Sequence, residues 1–117
     1  MKTNMGTMLI DKLLWACVKQ GASELYVRAG QPPLLRVQGQ LQGLESKALT
    51  PADTHLLMEC ITPYRHQQEF HHAGNTEFEF GFGEASRFRV SVMRARGVVD
   101  MLLRQISMNE LNSHEQG

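Results

Sequence analysis

The 117-residue chain reads as a single α+β domain, with one antiparallel sheet of about six strands and helices packed on one face. Three observations predict it. Apolar residues recur at helical spacing in three places. Short segments of period-two alternation lie between the first and second of these and again after the third. Gly, Pro and Asn punctuate the joins.

Residues 7–20 read as a helix. Met8, Leu9, Leu13, Trp15, Ala16, Cys17 and Val18 form a broad apolar stripe, and Gly21 is a natural stop. Residues 24–28 are a short strand with Leu25 and Val27 on one face, broken by residues 29–33. Residues 34–37 resume the strand, and a tight turn at 38–40 leads into 41–44. Thr50, Pro51 and Asp53 stand where an N-cap, first-turn proline and N3 acid begin a second helix, which buries Leu56, Leu57, Cys60 and Ile61. Thr62 and Pro63 restart a third helix to about residue 72. Phe78, Phe80 and Phe82 then alternate with Glu77, Glu79 and Gly81, turning at 83–85 into strands over 87–94 and 98–106. Residues 112–117 are polar and read as a tail or linker stub.

The composition sets limits. Hydrophobic residues at 42% and charged residues at 21% suit an ordinary globular fold. A formal net charge of zero argues against a general nucleic-acid binder. No run approaches the ~18 apolar residues of a membrane span, and residues 1–6 carry no signal-peptide pattern. Cys17 and Cys60 read as reduced core residues of a cytosolic protein.

Against that neutral background, Arg87, Arg89, Arg94, Arg96 and Arg104 gather on two neighbouring strands, toward one edge of the sheet. Such a gathering points to an anionic partner. If Phe88, Val90 and Val92 join the phenylalanines in the core, period-two parity turns Arg87, Arg89 and Ser91 outward and sets Glu79 opposite or diagonal to Arg89. On the last strand Val99, Met101 and Leu103 fit inward, leaving Val98, Asp100, Leu102, Arg104 and Ile106 outward. An outer face that mixes arginines with Leu102 and Ile106 suits a protein contact. Two uses of the arginines fit this spacing. One is cross-strand pairing, Arg89 with Glu79 and Arg104 with Asp100 or a neighbour, at ~0.2–1 kcal/mol each. The other is contact with phosphate oxygens.

Four segments, at 22–27, 30–39, 87–91 and 103–106, occur in an order and spacing that resemble one family. In that family they read roughly A-S-D-L-H-L, G-x-P-P-x-x-R-V-x-G, R-F-R-V-N and F-R-x-I-P. It is the N-terminal PAS-like domain of the PilT-like type IV pilus retraction ATPases, within the type II/IV secretion ATPase superfamily. The resemblance runs from about Leu9 to Leu111 and makes residues 1–111 that domain. It implies a part of a hexameric, cytoplasmic motor, held at the inner face of the membrane through a pilus or secretion machine. The domain would pack on the ATPase domain of the adjacent subunit, with no nucleic acid and no membrane insertion. Arg89 and Arg104 match the two arginines that approach the γ-phosphate of ATP in trans, with Arg87 and Arg96 as secondary candidates. ATP and Mg would then belong to the neighbour.

The departures are specific. Tyr26 stands for the usual His, Glu24 for Asp, Ser91 for Asn, and Ser107 follows Ile106 where Pro is usual. The sequence contains no Gly-x-x-x-x-Gly-Lys-Ser/Thr, no acidic Walker B strand and no later His box, so hydrolysis by this chain alone is not expected. It reads as a piece of a longer motor or as a standalone regulatory module that binds an ATPase without touching nucleotide.

Other chemistry has less support. His55, Cys60, His66, His71 and His72 lack metal-ligand spacing and read as solvated helix-surface groups. Neither cysteine has a positioned base. Trp15, Tyr26 and the phenylalanines read as core before ligand cavity, and Met5, Met8 and Met58 as core before interface.

Overall fold

The computed structural model describes residues 5–84 and 86–106, with side chains from Leu9 onward. The element order is α1 (Met5–Lys19), β1 (Glu24–Val27), β2 (Leu34–Val37), β3 (Gln40–Gly43), α2 (Pro51–Ile61), α3 (Tyr64–Ala73), β4 (Asn75–Phe82), β5 (Ser86–Ala95) and β6 (Val98–Ile106). This is the expected succession of helix, three strands, two helices and three strands. The tail at 112–117, Ser107, and the Met5 and Met8 side chains lie outside what is described.

The six strands form one sheet in the order β3-β2-β1-β6-β5-β4, with every neighbouring pair antiparallel. The arginine-bearing strands therefore do not form an edge, contrary to the sequence expectation. β1 pairs with β6, setting Leu25 beside Leu103 and Val27 beside Met101, so β6 is interior and the edges are β3 and β4. Period-two parity assigns faces but carries no information about which strands become neighbours.

Two hairpins close on two-residue turns. Val37 partners Gln40 across Gln38 (φ 51°) and Gly39 (φ 83°), and Ala95 partners Val98 across Arg96 (φ 55°) and Gly97 (φ 78°). Positive φ at both turn positions matches the right-handed twist of the strands. α2 begins with a complete capping box. The Asp53 backbone N–H donates to the Thr50 hydroxyl oxygen, and the Thr50 N–H donates to the Asp53 carboxylate. α3 ends on Gly74 in the left-handed conformation, whose N–H donates to the Phe70 carbonyl.

All three helices contribute to one core with the inward face of the sheet. Ile10, Leu13, Leu14 and Cys17 of α1, Leu57, Met58 and Ile61 of α2, and Phe70 of α3 meet Leu25, Val27, Leu35, Phe78, Phe88, Val90, Val92, Val99, Met101 and Leu103. Phe80 and Phe82 pack against this cluster, as expected.

Five burial expectations are corrected. Tyr26, expected in the core, is half-buried on the opposite face of β1 from Leu25 and Val27. Trp15 is 59% exposed, because the α1 stripe runs through Ile10, Leu13, Leu14 and Cys17 at the i, i+3, i+4, i+7 spacing and Trp15 falls off it. Leu56 is 39% exposed for the same reason, since the α2 stripe is Thr54, Leu57, Met58 and Ile61. Cys60 is only half-buried, whereas Met58 is core. Ile106 is buried, although parity sets it outward, and it lies apart from the main core cluster.

Candidate functional site: a charged row across the open sheet face

The face of the sheet opposite the core is organised by register. Arg36 on β2, Glu24 on β1, Arg104 on β6, Arg89 on β5 and Glu79 on β4 are successive cross-strand partners, and Leu41 on β3 opposes Arg36. They form one transverse row. A second row beside it runs Leu34, Tyr26, Leu102, Ser91 and Glu77. Among the described residues, no helix packs over these rows. The helices all join the core on the other face.

The two arginines singled out from the sequence are thus direct neighbours, at the ~5 Å Cα separation of opposed residues in an antiparallel pair. Arg87 lies two residues before Arg89 on the same face, with Ile106 and Gly81 as its partners. Arg96 is not brought to this site. It occupies the β5–β6 turn, seven residues along the chain from Arg89, which is roughly 20 Å of strand.

Arg89 and Arg87 face carboxylates on β4. The two Arg89 terminal nitrogens lie 3.7 Å from Glu77 and 3.6 Å from Glu79, and Arg87 donates to Glu79 at 3.3 Å. Glu77 also accepts from the Ser91 hydroxyl at 3.0 Å. The Arg89–Glu79 pairing read from parity is therefore present. These groups are about half exposed, so each pair contributes only ~0–1 kcal/mol and yields readily to a stronger anion. A small cleft of about 170 Å³ opens between Glu77, Glu79 and Arg89.

The β1–β2 end of the row is tighter. Tyr26 Oη donates to Glu24 Oε1 at 2.7 Å, and Arg36 Nε donates to the same oxygen at 2.9 Å. Arg36 further donates to Tyr26 Oη at 3.1 Å and to the Gly39 carbonyl at 3.1 Å. The Arg28 and Arg36 guanidiniums lie 5.2 and 5.7 Å from the Tyr26 ring centroid, within cation–π range. The Tyr26 hydrogen bond foremost, with the Arg36 hydrogen bond and the charges of Arg36 and Arg104, holds the Glu24 carboxyl below its ordinary range. Sequence reasoning did not assemble this network. Its signal was present, since Glu24 and Tyr26 take the parity opposite to Leu25 and Val27.

The remaining candidates fall elsewhere. His66 is not a solvated histidine. Its Nδ1 lies 2.9 Å from the Thr76 hydroxyl oxygen, that hydroxyl donates to Glu69, and the ring packs on Phe78 at 5.2 Å. Burial pushes the Cys17 thiol up to about 11, which keeps it protonated and unreactive at neutral pH. Among the described residues, no three His, Cys, Asp or Glu side chains group as metal ligands. A larger cleft of about 510 Å³ opens beside α1, lined by Leu9, Leu13, Leu44 and Leu49 rather than by Trp15 or Tyr26. No helix among the described residues is long and apolar enough to cross a membrane.

The open six-stranded antiparallel sheet with three helices on one face matches the fold of the N-terminal region of the pilus retraction ATPase PilT. The chain is 31% identical over 110 residues to the type IV pilus retraction ATPase PilT of Pseudomonas aeruginosa, and 30% identical over 102 residues to PilU, a type IV pilus ATPase of the same organism. These matches cover 94% and 87% of this chain but 32% and 27% of the two relatives, so the chain spans under a third of their length. The crystal structure of the pilus retraction motor PilT with bound ADP superposes with a TM-score of 0.77 at 32% identity, over 85% of this chain and 29% of that one. The DotB ATPase of Legionella pneumophila superposes with a TM-score of 0.73 over 91% of this chain and 31% of its own, a likeness of fold alone at 19% identity. No protein-family model matches the chain.

Proposed function

We propose that this chain is the assembly and nucleotide-sensing domain of a PilT-like pilus or secretion motor. It docks the open face of its sheet on a neighbouring ATPase domain and presents Arg89 and Arg104 to that domain's ATP. The observation that carries the reading is the direct cross-strand pairing of Arg89 with Arg104 on a face no described helix covers. Like charges placed opposite each other on a sheet are destabilising. An oxyanion between them relieves that repulsion, and two planar guanidiniums offer paired donors that fit phosphate oxygens. Half-buried Leu34, Leu102 and Val98 give the same face the partly apolar character of a docking surface. Arg87 adds charge from the adjacent position. The partner supplies the ATP, the Mg and the hydrolysis. The motor is cytoplasmic and hexameric, and reaches the membrane through its pilus or secretion machine.

A second reading is favoured by a specific observation. Arg89 already faces Glu77 and Glu79, which suits a regulatory module that binds an ATPase without touching nucleotide.

The test is to mix the chain with a cognate ATPase domain and compare stimulated hydrolysis for wild type, Arg89→Ala and Arg104→Ala. A charge-assisted hydrogen bond contributes ~1.5–3 kcal/mol, so each mutant is expected to lose about tenfold or more of the stimulation. Full stimulation by both mutants excludes the sensing role and leaves the adaptor.

A further inference from the structure

The carboxylates beside the two arginines are held differently. The Arg89 carboxylates are exposed and lie 3.6 and 3.7 Å away, beyond hydrogen-bonding distance. Glu24, the register partner of Arg104, is fixed by donors from two other residues at 2.7 and 2.9 Å. Both donors use Oε1. Arg36, the second of these donors, is itself anchored to the Gly39 carbonyl of the β2–β3 turn.

We propose that Glu24, locked by Tyr26 and Arg36, is a positioning residue that draws the Arg104 guanidinium toward β1 and so holds open the gap between Arg104 and Arg89 for an oxyanion. Arg104 is then the fixed arm of the pair and Arg89 the adaptable one. The anion site is set by β1 and β2 as well as by the strands that carry the arginines. This inference rests on the nucleotide-sensing reading for its role, and on the geometry of the chain alone for its existence. The depressed Glu24 pKa agrees with it, because Arg104 is among the charges that hold the carboxylate ionised.

The experiment has two arms. The first observes the arginine Nε–Hε resonances of the 117-residue chain by NMR, with Arg104→Ala and Arg89→Ala for assignment. Glu24→Gln should shift the Arg104 signal toward that of a freely rotating arginine and broaden it, while the Arg89 signal stays in place. Tyr26→Phe should move it less in the same direction, and Glu24→Asp, which keeps the charge, should restore most of the change. The second arm reads stimulated ATPase activity in the mixture with the ATPase domain. Glu24→Gln is expected to lose about threefold in the wild-type background and nothing further in the Arg104→Ala background. An Arg104 signal unmoved in folded Glu24→Gln and Tyr26→Phe chains overturns the positioning claim. A signal that moves while Arg104→Ala leaves hydrolysis unchanged upholds the positioning and overturns the nucleotide-sensing reading instead.

Discussion

Glu24 shows how one carboxylate ties local chemistry to stability. Its pKa lies below the ordinary 4.5, chiefly through the Tyr26 hydroxyl, and that of Glu69 is lowered first by the Thr76 hydroxyl. A group whose folded pKa is depressed contributes stability that is present above its unfolded pKa and is lost as the pH falls through the folded value. Urea unfolding should therefore show stability declining as the pH drops below about 4.5, with a shallower decline in Glu24→Gln. An unchanged slope would remove the network from the stability account. Sites on the two faces of β5 should respond unequally. Phe88→Ala removes a fully buried aromatic and should cost ~3–5 kcal/mol. Arg89→Ala breaks only exposed ion pairs and should cost at most ~1 kcal/mol. Nearly equal losses in denaturant melts would mean that the faces are wrongly assigned.

Elements were the most legible level in the sequence, wherever local chemistry sufficed. Thr50, Pro51 and Asp53 announced α2, and the capping box is formed as read. Thr50→Ala should lower stability by ~1 kcal/mol. The β5–β6 turn requires φ of 78° at Gly97, so Gly97→Ala should cost ~1–2 kcal/mol. Arg96→Gly, at φ 55° in the same turn, should cost nothing and leave ATPase stimulation intact, since Arg96 stands apart from the arginine row. A large stimulation defect in Arg96→Gly would contradict that placement. The helix stripes were harder to read. A run such as Leu13, Leu14, Trp15, Ala16, Cys17 and Val18 is apolar nearly all round, so its spacing alone did not single out the face that excludes Trp15. Leu56 beside Leu57 posed the same ambiguity.

At the scale of the whole molecule, parity foretold which residues share the open face but not which strands adjoin. The pairing of β1 with β6 joins segments about 75 residues apart along the chain, and it alone brings Glu24 beside Arg104. That long-range pairing hid the Glu24–Tyr26–Arg36 network from sequence reasoning, while Arg89 and Arg104 could be matched through their own motifs. The result is a sheet with one side committed to the core and the other carrying a row of charge flanked by apolar residues. The central claim is that this open side meets a partner's triphosphate, and the affinity of the chain for a cognate ATPase domain tests it most directly. Binding should be about tenfold tighter with a non-hydrolysable ATP analogue than with ADP, and the difference should vanish in the Arg89→Ala/Arg104→Ala double mutant. Equal affinity in the two nucleotide states, or a difference that survives the double mutant, would contradict it.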